Sequence, residues 1–191
     1  TSICKSIETV NAWTKIELPD QKVGFVKTSD LVDFSVWANA NKTLQHAELV
    51  QMAYAFMGTS YLWGGTSSYM FDCSGFIKTA YFMQGVVLPR DASQQCKIGY
   101  QVDVSENYEH LLPGDLLFFG SKTSKNQHIT HVGMYIGNNE FIHESEWIHL
   151  SSMHPAATNY CAYYHKRLIM ARRITHATHT ADLLIHNAFY F

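Results

Sequence analysis

The sequence predicts an α+β fold. Helical periodicity runs from about residue 43 to 102, and short alternating or wholly apolar runs of strand type take over after Leu112. A further observation links the two halves. Phe71-Asp-Cys-Ser-Gly-Phe76 opens one of the predicted helices, and His131 and His143 fall on a predicted β-hairpin downstream.

Taken in order, residues 1–33 read as short strands: residues 12–18 alternate, 19–22 have turn composition, and 23–26 form a second strand. Two strands alone are marginal in water, so this piece needs further barrel or the following domain to pack on. Residues 34–42 are polar and read as a linker. The main domain, residues 43–191, begins with a helix capped by Thr43, with Ala47, Val50, Ala53, Tyr54 and Met57 at helical spacing and Gly58 as its stop. Tyr61-Leu-Trp-Gly-Gly65 is an extended piece and tight turn. The next helix runs from Cys73 or Ser74 to about Gln84, with Asp72 as N-cap and Gly85 as stop. A further helix is expected over residues 91–102. Leu116-Leu-Phe-Phe119 reads as a buried strand, 120–129 as a polar loop, and 131–136 with 140–144 as a hairpin around Gly137-Asn-Asn139.

The hairpin register decides which histidines share a face. A two-residue Asn138-Asn139 turn leaves His131 and His143 on opposite sides. An odd-length loop near Gly137, or a one-residue bulge, is expected to pair His131 directly with His143.

Composition narrows the function. The 191 residues amount to one domain plus a piece, and 47% hydrophobic residues suit a folded core rather than disorder. No apolar run reaches the roughly 20 residues of a bilayer-spanning helix. A net charge of −2 provides no global basic field for nucleic acid. Cys4, Cys73, Cys96 and Cys161 are scattered and include no C-x-x-C pair, so structural zinc is not expected. If Cys73 is a nucleophile, at most one disulfide can form among the other three. The first residues carry no leader pattern and begin inside strand-like text, as expected for the later part of a longer polypeptide.

Chemically, a cysteine at a helix N-terminus can be held as a thiolate by the helix dipole and a neighbouring imidazole. A second polar group can then orient that imidazole. Cys73, His131 and His143 supply the three parts in order. Each also has a plain alternative: inert core for the cysteine, satisfied strand polar residues for the histidines. Their joint placement favours a cysteine hydrolase.

The ordered motifs Tyr61-Leu-Trp-Gly-Gly65, Asp72-Cys-Ser-Gly-Phe76, Leu88-Pro-Arg90, Leu112-Pro-Gly-Asp-Leu-Leu-Phe-Phe119, His131-Val-Gly-Met-Tyr-Ile-Gly137 and Phe141-Ile-His143 resemble the NlpC-type cell-wall peptidases, a papain-like group of bacterial enzymes. The resemblance spans residues 44–150. Residues 13–26 resemble the last strands of a bacterial SH3-like barrel, and residues 171–191 loosely resemble the end of the subgroup carrying that barrel.

This resemblance implies hydrolysis of the γ-D-glutamyl bond to a diamino acid in peptidoglycan stem peptides. It assigns Cys73 as nucleophile, His131 as base, His143 as orienter, and Tyr61 with a main-chain amide as oxyanion binder. No metal or organic cofactor is implied. It also implies that Asp72 binds the free amine of L-alanine, so that L-Ala-γ-D-Glu is released and peptides whose alanine is still amide-linked are rejected. The other reading of Asp72 is a helix cap alone. Trp63, Ser74 and Ser93 are candidate contacts for the dipeptide, against core packing, a first-turn position and a helix cap respectively. Arg90 can meet a substrate carboxylate or form a structural salt bridge.

A murein peptide is the expected partner and a monomer the expected state. The expected location is periplasmic or otherwise extracytoplasmic, with cytoplasmic recycling as the alternative. The competing functions are a wall-binding module on a peptidase scaffold and a papain-like acyltransferase.

Overall fold

The chain divides between Lys42 and Thr43 into two units, in a computed structural model that describes residues 3–41, 44–105, 107–123 and 126–175. In the first unit, β1 (Lys5–Val10), β2 (Trp13–Glu17) and β3 (Val23–Lys27) form an antiparallel sheet in that order. The sequence pattern shows β2 and β3 but not β1, whose residues are all exposed and so carry no alternation to read. Hydroxyls of Thr9, Thr14 and Thr28 link in a row at 3.0 Å per step. The expected linker contains helix α1 (Phe34–Ala40), which Asp33 caps by accepting from the Ser35 and Val36 amides at 2.9 and 3.1 Å.

The second unit starts with α2 (His46–Tyr54). The expected cap, Thr43, lies outside the described residues, and Gln45 occupies the cap position without a side-chain bond. Three two-residue strands follow, β4 (Ser60–Tyr61), β5 (Thr66–Ser67) and β6 (Met70–Phe71), in the order β4-β6-β5. Phe71 then leads directly into α3 (Cys73–Met83). The helix expected over 91–102 is short: α4 (Ala92–Gln95) ends at a Cys96 C-cap, and Gly99 beyond it has a φ of +77°. Residues after it form β7 (Tyr100–Val102), because β12 offers an edge to pair with.

The remaining elements are β8 (Leu116–Lys122), β9 (Gln127–Gly137), β10 (Glu140–Glu144), β11 (Ile148–Ser152), α5 (Ala162–His165) and β12 (Leu168–Arg173). The six-stranded sheet runs β11-β10-β9-β8-β12-β7, with every neighbouring pair antiparallel. Part of the expected polar loop 120–129 is strand: Gly120, Ser121 and Lys122 pair with Ile129, His128 and Gln127. Of these, Ser121, Lys122, Gln127 and His128 are exposed, and this end of the hairpin is polar because it stands in solvent. Among the described residues, no helix is long and apolar enough to cross a membrane.

Alternation along β8 divides the core. Leu116 and Phe118 join Val132, Met134 and Ile142 under Phe76, Ile77, Ala80 and Tyr81 of α3. Leu117 and Phe119 pack with Tyr135, Phe141 and Met153 in a second cluster. Asp115 is fully buried and held by Arg173 through two bonds of 2.7 and 2.8 Å, which fastens the turn before β8 to β12.

The β9–β10 turn contains Asn138 and Asn139 at φ 53° and 60°, and Glu140 pairs with Gly137. A one-residue bulge then shifts the register, so that Phe141 faces Tyr135 and His143 faces Gly133. The expected direct pairing of His131 with His143 is therefore corrected. His131 lies two residues beyond Gly133, on the same face, diagonal to His143.

Candidate active site

The first turn of α3 is fastened before any chemistry is considered. Asp72 caps it by accepting from the Gly75 amide at 2.7 Å, and the Gly64 amide adds a bond of 2.9 Å. Arg90 binds both carboxylate oxygens, while its Nη1 also donates to Ser74 Oγ at 3.0 Å. Burial would raise the Asp72 carboxyl, but Arg90 and the two amides hold it below the ordinary carboxylate range. The Asp72 carboxylate is thus paired with Arg90, which is the structural salt bridge weighed for that arginine. Gly75 is required here: a Cβ on it would lie 2.0 Å from the Gly65 carbonyl oxygen.

Cys73 begins this turn, half-buried. Its thiol is pushed up to about 11, first by burial. The Val132 and Ser74 amides pull the other way, and the Asp72 and Glu144 charges add to the rise. Desolvation thus works against the helix N-terminus in holding the expected thiolate. Among the described residues no hydrogen bond joins Sγ to either ring. The sulfur meets β9 at the amide of Val132, the residue after His131.

His131 and His143 are both buried, and His131 Nε2 lies 2.9 Å from His143 Nδ1. His143 Nε2 lies 3.0 Å from Ser151 Oγ. This chain constrains the tautomers. If His131 donates from Nε2, its Nδ1 is left with a lone pair, His143 Nδ1 accepts, and His143 Nε2 donates to Ser151. Burial pushes His131 down to about 3 and His143 to about 2, with the charge of neighbouring His149 adding to both. Neither ring holds a proton cheaply by itself, so charge appears only when a partner ionises with it.

Space for the pair comes from Gly133. A Cβ there would sit 3.1 Å from the His143 Cβ and 3.0 Å from the Phe141 ring. Tyr164 of α5 stacks on His131 with centroids 4.6 Å apart and meets His143 edge-on at 4.7 Å. Tyr61, on β4, donates its amide to Glu146 O at 2.9 Å. Its phenol is raised by burial and then by the charges of Cys73, Asp72 and Glu144, which marks its proximity to all three.

The other candidates are spread differently. Ser74 is buried within the Asp72–Arg90 network. Trp63 is 85% exposed, which removes its core alternative. Ser93 is an exposed residue of α4 whose carbonyl accepts from Cys96 Sγ at 3.2 Å.

Three residues escaped the sequence reading. Ser151 reaches His143 across a strand diagonal, which no linear spacing reports. Tyr164, on α5, lies 20 residues beyond β10's last residue. Glu144 follows the orienting histidine and points to the helix side with Ile142, because side chains alternate along β10. It is fully buried, and among the described residues neither carboxylate oxygen has a hydrogen-bond partner. Burial, then the Asp72 charge, pushes its carboxyl up to about 8. A motif scan could have flagged it as a charged residue at a position where the pattern predicts burial.

Residues 58–173 match the NlpC/P60 family. The chain belongs to that family. The matched span contains Tyr61, Cys73, His131, His143, Ser151 and Tyr164. The chain is 43% identical over 96 residues to a γ-D-glutamyl-L-lysine dipeptidyl-peptidase of Bacillus cereus, covering 50% of this chain and 27% of the relative. It is 40% identical over 129 residues to a probable endopeptidase NlpC of Escherichia coli, covering 67% and 77% respectively. Among solved structures, an NlpC/P60 family protein from Bacillus cereus superimposes with a TM-score of 0.68 at 29% identity, over 89% of this chain and 53% of that one. The chain therefore spans about a quarter of the curated Bacillus relative and about half of this structural neighbour.

Proposed function

We propose that this NlpC/P60 chain is a cysteine peptidase that hydrolyses the γ-D-glutamyl-diamino acid bond of peptidoglycan stem peptides, releasing an N-terminal dipeptide. The observation that carries it is the Ser151–His143–His131 hydrogen-bonded row, with His131 next in sequence to Val132, whose amide acts on the Cys73 thiol. The names of the Bacillus and Escherichia relatives support the reaction class and the dipeptide product.

In this reading Cys73 is the nucleophile, His131 the base and His143 the orienter. As substrate enters and excludes water, the thiol proton passes to His131 Nδ1 while Sγ attacks the γ-carbonyl carbon. Because burial disfavours either charge alone, transfer produces thiolate and imidazolium together. The Cys73 amide, one of the unsatisfied donors at a helix start, receives the oxyanion with Tyr61. His131 then protonates the leaving amine, and water attacks the acyl-enzyme with His131 again as base. Asp72 clamps the α3 terminus and is a candidate acceptor for the free amine of L-alanine. Trp63, Ser74 and Ser93 stand as candidate substrate contacts, of which Trp63 and Ser93 are exposed.

We further propose that residues 1–33 are the end of an SH3-like barrel preceding a peptidase domain of residues 43–191. The three-stranded meander supports this, as does a structural match larger than residues 43–191 alone can account for.

The test is dipeptide release from L-Ala-γ-D-Glu-L-Lys and its diaminopimelate counterpart, read by mass spectrometry. Release by the reduced chain, abolished by Cys73→Ala, is expected. No release from either peptide, with Cys73 shown to be reduced, refutes the proposal.

A further inference from the structure

We propose that Tyr164 is a positioning residue for this reaction: its ring fixes the His131 imidazole and presents the π face against which that imidazole becomes a cation. The inference rests on the thiol-peptidase reading above.

The geometry is a three-ring corner. His131 and His143 stand perpendicular, at 89° and 5.1 Å between centroids. Tyr164 lies nearly parallel to His131, at 27°, and nearly perpendicular to His143, at 78°. One ring thus braces two others in different planes. The in-plane bond between the histidines restrains His131 from tipping, and the stack covers one of its faces. Tyr164 is itself held edge-on by Phe119 at 5.2 Å, by Phe141 at 6.1 Å and by Tyr163 at 5.1 Å.

The chemistry explains why an aromatic ring suits this position. Proton transfer breaks the Cys73 S–H bond and forms an N–H bond on His131, leaving a thiolate and an imidazolium. The imidazolium forms in a buried site, and burial is the main cause of the low His131 value. An aromatic face within about 6 Å attracts a cation and offsets part of that desolvation. The Tyr164 phenol is raised to about 12 by burial, so at neutral pH it contributes its ring rather than a charge.

The test reads both turnover of L-Ala-γ-D-Glu-L-Lys and the pH profile of Cys73 alkylation by iodoacetamide. Tyr164→Phe keeps the face and should hold kcat within about twofold of the parent. Tyr164→Leu should lower kcat roughly 3- to 30-fold with KM little changed. It should also move the onset of alkylation roughly 0.5 to 1.5 pH units upward. Tyr164→pentafluorophenylalanine keeps the ring's shape and reverses its quadrupole, so it should behave like leucine. This last variant, compared with phenylalanine, decides the matter if the leucine protein does not fold. The proposal is overturned if phenylalanine loses as much as leucine, or if the fluorinated ring matches phenylalanine. A parent chain that neither cleaves nor alkylates removes the peptidase reading itself. A parent that does both, with all variants alike, removes only the role of Tyr164.

Discussion

Glu144 should make the protein less stable as pH rises across neutrality, and Glu144→Gln should remove that dependence. Its carboxyl is fully buried without hydrogen-bond partners and is raised from an ordinary 4.5 to about 8. The folded state therefore keeps a proton that the unfolded chain has released. Folding must take up that proton wherever the pH lies between the two values, so stability falls with rising pH in this window. At about 1.36 kcal/mol per pH unit, the penalty reaches about 3 kcal/mol at pH 7 and levels off near 5 kcal/mol above the folded value. Below the unfolded value it vanishes. Urea unfolding at half-unit steps from pH 5 to 9 measures it as the difference between parent and Glu144→Gln. The depressed histidines contribute equally to both proteins and cancel in that difference. A gap that widens with pH, approaching 3 to 5 kcal/mol by pH 8, is expected. Parallel curves would refute the reasoning, since they would mean that Glu144 is solvated or paired.

Three further outcomes follow from the same geometry. His131 and His143 are held neutral by burial, so the unfolded chain binds protons that the folded one refuses, and stability should fall as pH drops below about 6.5; melting curves of His143→Gln should show a shallower acid limb. Gly133→Ala places a Cβ within 3.1 Å of His143 and is expected to part the two rings, costing about 1–3 kcal/mol in denaturant titration and most of the turnover of L-Ala-γ-D-Glu-L-Lys. Arg90→Met leaves Asp72 with its amide donors alone; because Arg90 is about one-third exposed, a loss of only about 1–2 kcal/mol is expected by calorimetry, with Cys73 alkylation still present.

Much of the fold could be read from local pattern. Helix α3, with Asp72 at its start and Gly85 after its end, follows from capping chemistry and apolar spacing, both properties of neighbours along the chain. The β9–β10 hairpin announces itself in Gly137-Asn-Asn139. Elements that failed depend on distant partners. Residues 100–102 are strand because β12 lies beside them, and β1 shows no alternation because both its faces are exposed. Asp72 illustrates the same division: its cap was visible, whereas the bond to Arg90, 18 residues away, was not.

What the amino-acid order determined alone is the cast: a cysteine opening a helix and two histidines on one hairpin, each placed by interactions within a few residues. Their working relation was decided only in three dimensions. A single bulge put both rings on one face, Ser151 and Tyr164 came from later elements to hold them, and burial set the protonation of Cys73 and Glu144. The reason is physical: capping and turns are local, whereas register, desolvation and ring stacking exist only once remote segments exclude water together.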